Sequence, residues 1–206
     1  MKIIVFVGGA LILGAALALS SIHTGLSTGW IGALGLLAWA GFVKRQWNTL
    51  HTENETEPGA PEKTLWVQTA GTGLILGHLA ATLMHIDIDL HVGQGNTLAI
   101  DSWMMLAALF LAYLMFRKDY RVKDERDAII EARGIKAGYI VLLVLLTLFS
   151  FILGFLPPPA MELLTNFIIG NIIIALMVAS YLVQIIVRLS AYGTSVNNGY
   201  DEKMPK

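Results

Sequence analysis

Apolar runs long enough to cross a bilayer as helices, about 20 residues each, alternate along this chain with short polar segments. The runs fall at about 2–21, 25–43, 65–86, 98–116, 137–156 and 163–187. The first has a rival reading as a cleaved signal peptide, with Met1-Lys2 as its basic start and Ala16-x-Ala18 as a small-residue cleavage site. A second apolar run follows almost at once, so the two read as a retained helical hairpin. Ala10, Gly14 and Ala18 recur at a four-residue step, as do Gly25 with Gly29 and Gly73, Gly77 and Ala81. Small residues at that spacing let helices approach closely in lipid. Pro157-Pro158-Pro159 stops the fifth run sharply.

The polar segments carry the topology. Residues 44–64 form an acidic linker with Glu53, Glu55, Glu57 and Glu62, broken by Pro58-Gly59 and Pro61. Residues 117–136 form a charged segment, and 188–206 a polar, frayed tail. With six crossings, one side receives the N-terminus, 44–64, 117–136 and the tail. All 14 Lys and Arg residues fall there, and the other side carries none. Basic residues mark the cytoplasmic face. The expectation is an all-α polytopic membrane protein: a bundle of six transmembrane helices in the inner membrane, both termini cytoplasmic.

Composition agrees. The chain is 55% hydrophobic and 14% charged, with mean hydropathy +0.65, against about 25% charged residues in soluble domains. It has no cysteine. That excludes disulfides, thiolate catalysis and Cys-based zinc or iron–sulfur sites. At 206 residues it is one membrane domain with no room for a separate soluble one.

The segment Arg117–Gly138 holds seven of the 14 basic residues and five of the 15 acids, so it must stand in water. Asp124 reads as a helix N-cap, with Asp127 three residues on. One helix then runs unbroken into the fifth span, to about Leu156. Helical periodicity puts Asp124, Asp127 and Glu131 on one stripe, beside Gly134 and Gly138. Arg126 and Arg133 fall almost opposite, with Lys136 beside them. No opposite charges sit at i,i+3 or i,i+4 within this helix, and Asp127 with Glu131 is a like-charge pair. The partners of these charges therefore lie elsewhere. Anionic headgroups can take the basic stripe. The sharper expectation is a partner-binding surface of Asp124, Arg126, Asp127, Glu131 and Arg133 for a cytoplasmic protein. Nothing here resembles a nucleophile with an oriented base, so no catalytic residue is expected, nor is direct nucleic-acid binding.

Asp124-Glu125-Arg126-Asp127, followed by Ile130-Glu131-Ala132-Arg133-Gly134 and Ala137-Gly138-Tyr139, resembles a motif of small multi-span prokaryotic membrane proteins of unknown function. In those proteins a DERD-type segment lies between two pairs of spans, just before a helix that enters the membrane. The resemblance covers about residues 98–190. Such proteins often stand beside small DNA-binding regulators, so it implies a prokaryotic origin and a membrane partner that controls a regulator. It implies no activity. The extra N-terminal hairpin departs from the four-span form.

Two other sets of residues bear on chemistry. His85, Asp87, Asp89 and His91, on the outer side, offer two imidazoles and two carboxylates to a divalent metal, with His23 in the neighbouring loop. Their spacing matches no established metal signature, and a polar rim where a span leaves the membrane, with Ile86 and Leu90 dipping into lipid, is the plainer explanation. No other cofactor is expected. Within the spans the polar residues are His78, Asn166 and Asn171, with Gln68 and Gln184. Hydrogen bonding between helices is their ordinary role, and a haem would need paired histidines. No charged residue lies near the middle of a span, which disfavours coupled transport. A small transporter or channel, with six glycine-rich spans and with Asn166 and Asn171 facing a path, is the alternative to a non-enzymatic regulatory subunit; a homo-oligomeric pore or facilitator is compatible with it. A metal-binding membrane protein is the third reading.

Overall fold

The computed structural model describes residues 2–50, 60–85, 98–117 and 124–201. Its helices are α1 (Lys2–Thr24), α2 (Gly29–Leu50), α3 (Ala60–Leu83), α4 (Leu98–Met115), α5 (Glu125–Phe155), the single turn α6 (Pro158–Met161) and α7 (Asn166–Asp201). No strand occurs among the described residues. Among the described residues, three helices are long and apolar enough to cross a membrane: α1, α5 and the Asn166–Gly193 part of α7. Within α4, Ile100–Met115 is a shorter apolar helix. These are the helices of a membrane protein.

The bundle is built around α3, which packs on α1, α4 and α7 at once. Helix α2 lies mainly on α4, and α5 on α7. That placement explains the composition of α3. Thr64, Gln68, Thr69, Thr72, His78 and Thr82 are all buried, facing other helices rather than lipid. Thr69 and Thr82 donate to the carbonyls of Leu65 and His78, each at 2.8 Å, so they cost little inside the bundle.

Close approach of α1 and α3 uses the expected small residues. A Cβ on Gly14 would strike the Leu74 carbonyl, and one on Gly77 the Leu11 carbonyl. Gly73 faces the Ala10 methyl. The Gly25–Gly29 step does not serve this contact. Gly25 sits in the α1–α2 turn with φ +67°, a conformation that suits glycine. Gly29 opens α2 against the backbone of Asp101.

Three boundaries differ from expectation. Helix α3 already starts at Ala60, with Pro61 in its first turn, where a missing N–H costs nothing, rather than breaking it. Helix α2 runs on to Leu50, into the stretch expected as linker, and residues 51–59 lie outside the described residues. Helix α7 continues through the expected frayed tail to Asp201. Leu189 and Tyr192 explain the start of that extension: both are buried in one cluster with Leu65, Ile130 and Ile185.

One end of the bundle gathers the starts of α1, α3 and α5 with the C-terminal half of α7. Ile3 and Trp66 pack against that same cluster. A second cluster of Ala40, Val43, Val67, Ala112 and Phe116 joins the ends of α2 and α4 to α3. There Lys44 Nζ donates to the Met115 carbonyl at 2.6 Å.

Candidate functional site

Helix α5 begins where the sequence places it. Asp124 is the N-cap, and its Oδ1 accepts from the Asp127 N–H at 2.7 Å. Asp127 Oδ2 accepts in return from the Asp124 N–H at 3.2 Å. This capping box satisfies two backbone donors that a helix start leaves open.

The acidic stripe of α5 then turns onto α7. The Tyr192 hydroxyl donates to Asp127 Oδ1 at 2.6 Å. Arg188 Nη2 lies 3.9 Å from Glu131 Oε1, with the Arg188 side chain only 4% exposed. Arg126 lies over the Tyr192 ring, 5.8 Å from its centre. Further along α5 Gly134 and Gly138 are buried. A Cβ at Gly134 would meet the Arg188 stem, and one at Gly138 the Gln184 side chain. The missing Cβ of Gly134 is what lets the Arg188 stem lie across α5.

Glu62, ahead of the apolar part of α3, reaches the same corner. Burial pushes its carboxyl above the usual carboxylate range, against the lowering pull of a Trp66 hydrogen bond and of the Arg126 charge.

The opposite face of α5 stays outward. Arg126, Ile129, Arg133 and Lys136 are all exposed. The five residues expected as a partner-binding set therefore divide. Asp127 and Glu131 face α7, Asp124 caps the helix, Arg133 faces outward, and Arg126 touches Tyr192 while remaining exposed. Arg188, which the sequence assigns to a polar tail, is instead a core residue of this site. Its position four residues before Tyr192 on the α7 periodicity was the available signal.

Removing the Tyr192 hydroxyl tests the seat. Tyr192→Phe should lower the stability of the micelle-solubilised protein by about 1–2 kcal/mol. In a double-mutant cycle with Asp127→Asn the two losses should not add. Additive losses would mean that the two groups do not act on each other.

A second polar cluster stands at the other end of the bundle. Asp101 is fully buried. Its Oδ1 accepts from the Ser27 hydroxyl at 2.5 Å, and its Oδ2 from the Thr28 N–H at 3.1 Å and the Ser21 hydroxyl at 3.3 Å. Asp101 lies in the first turn of its own helix, α4. In the structure it caps α2 from α4 and holds the α1–α2 turn. An acid within the mostly apolar LAIDSW stretch was the signal for it. Beside it, His78 is fully buried, with Nδ1 3.0 Å from the Ser102 hydroxyl. This is a hydrogen bond between α3 and α4.

The remaining residues singled out from sequence lie apart. Asn166 is exposed at the start of α7, and Asn171 donates to the Phe167 carbonyl of its own helix at 2.9 Å. Neither joins the buried polar groups of the bundle. Asp87, Asp89 and His91 lie outside the described residues. His85 Nδ1 donates to the Ala81 carbonyl at 2.9 Å, and His23 Nδ1 to the Leu19 carbonyl at 2.8 Å. Among the described residues no three acids or histidines are grouped to hold a metal.

No family model, curated protein or solved structure matches this chain.

Proposed function

We propose that this chain is a six-span inner-membrane protein with both termini and the start of α5 in the cytoplasm. It serves as a non-enzymatic regulatory or complex subunit that docks an acidic cytoplasmic protein on the Arg126, Arg133 and Lys136 face. One observation carries the reading: α5 commits its acidic stripe to α7 and leaves its basic stripe in solvent. A helix that needed charge only for its own packing would not require the outer row.

Length supports the same placement. Helix α5 has 31 residues, which is about 46 Å at the usual rise, against a hydrocarbon core of about 30 Å. Its charged first turns therefore stand beyond the hydrocarbon. The exposed apolar row below them, including Leu143, Leu148 and Phe151, faces lipid. The confinement of all 14 basic residues to one side supports a cytoplasmic position. The likeness of residues 124–139 to the charged motif of prokaryotic multi-span proteins supports a partner that is itself a regulator.

Affinity capture from the native cytoplasm tests docking. Arg133→Glu/Lys136→Glu should reduce recovery of the partner by about tenfold or more. These two residues are outside the Tyr192 contact, so α5 should stay seated. Arg126→Ala/Arg133→Ala should act in the same direction. An unchanged set of captured proteins would overturn the reading.

A further inference from the structure

Helices α1 and α2 are joined by a short turn yet hardly touch along their length. Between them, floored by Ala70 and Leu74 of α3, runs a cleft of about 600 Å³. That lies within the range of sites that hold small ligands, about 300–1,000 Å³. Its walls include Phe6, Gly9 and Leu13 of α1, and Gly32, Gly35 and Trp39 of α2; no charged side chain lines it.

Two of these glycines have no packing explanation. Gly14 and Gly77 are filled by backbone of the facing helix, and Gly32 by Met105. A Cβ at Gly9 or Gly35 would meet nothing within 4 Å. They widen the cleft without bringing two helices together.

The cleft also has a chemically distinct end. Lys2, Phe6, Gly9 and Leu13 fall at i, i+4, i+7 and i+11, one stripe of α1. Lys2, which is exposed, therefore stands one turn beyond the apolar wall, on the cleft's own face. There the Phe6 ring meets Trp66 at 5.3 Å and Trp39 at 6.2 Å between centres. Aromatic rings beside a lysine are the side chains that favour the level of lipid headgroups.

From the apolar walls, the two open glycines and this cationic end, we infer that the α1–α2 cleft binds one anionic phospholipid of the surrounding bilayer. An acyl chain fills the Gly9–Gly35 cleft, and the headgroup phosphate meets Lys2. A purely apolar occupant, such as the helix of a second copy, would bring no counter-charge to the cationic end of the cleft.

Native mass spectrometry of the full chain in mild detergent tests this, with phosphatidylglycerol and phosphatidylcholine added in equal amounts. Wild type should retain one phosphatidylglycerol in preference to phosphatidylcholine, by about fivefold for the single lysine. Lys2→Glu should abolish or reverse the preference. Gly9→Leu/Gly35→Leu should lower retention of both lipids by about tenfold. Gly8→Leu, also in open space but outside the cleft, controls for added bulk on α1 and should bind as wild type does. Equal retention by wild type and Gly9→Leu/Gly35→Leu would overturn the site. So would a dimer cross-linked through Gly35→Cys, the sole cysteine of that variant, since a second copy would then occupy the cleft.

Discussion

Asp101→Ala should destabilise the solubilised protein by about 3 kcal/mol or more. The substitution strips the acceptor from three donors at once: the Ser21 and Ser27 hydroxyls and the Thr28 N–H. Each buried donor left open costs about 1–3 kcal/mol. It also opens a void at a fully buried position. The effect should be local first, loosening the α1–α2 turn and the start of α2. Asp101→Asn keeps one acceptor oxygen but turns an N–H₂ toward groups that already donate, so it should fall between wild type and alanine. Unfolding monitored by tryptophan fluorescence, with hydrogen exchange over residues 21–32, measures both. An alanine variant with the wild-type midpoint and unchanged exchange at Thr28 would show that the carboxyl group does not hold the turn.

The second large effect belongs to the α1–α3 contact. Gly77→Ala should destabilise by about 2 kcal/mol, because its methyl would fall on the Leu11 carbonyl and the backbone must move. Gly14→Ala should act alike through the Leu74 carbonyl. The sign makes the test decisive. Glycine to alanine in an unobstructed helix is favourable by about 1 kcal/mol. Gly154→Ala, where a Cβ meets nothing within 4 Å, should therefore be neutral or stabilising. If Gly77→Ala behaved as Gly154→Ala does, α1 and α3 would not be in backbone contact.

Much of the helical layout was legible in the chain. Asp124 begins α5 and Leu156 ends it, because a capping acid and a proline run are local signals that need no partner. The small-residue steps at Ala10–Gly14–Ala18 and Gly73–Gly77 marked helix faces that do pack closely. The end of α7 was not legible. A polar residue such as Arg188 usually signals solvent, and only a glycine on another helix and a carboxylate near its guanidinium make burial tolerable there. The missed role of Asp101 has the same origin: it serves α2 from α4, across a separation of 73 residues from Thr28.

The candidate site was half legible. Helical period alone shows that the acids and the arginines of α5 lie on opposite faces. It cannot show which face another helix covers. That is why one expected surface became a buried seat for Tyr192 and Arg188 and an outward basic row.

By itself the amino-acid order determined that the chain is helical and made for a membrane, where α5 starts and stops, and that basic residues are segregated. These follow from hydrocarbon length, local capping and the cost of charge in lipid, all readable along one strand. Tertiary structure alone decided that α3 is the shielded centre, that Arg188 and Asp101 are interior anchors, and that α1 and α2 part around a cleft. Those outcomes depend on which faces of separate helices meet, and periodicity fixes a face without naming its neighbour.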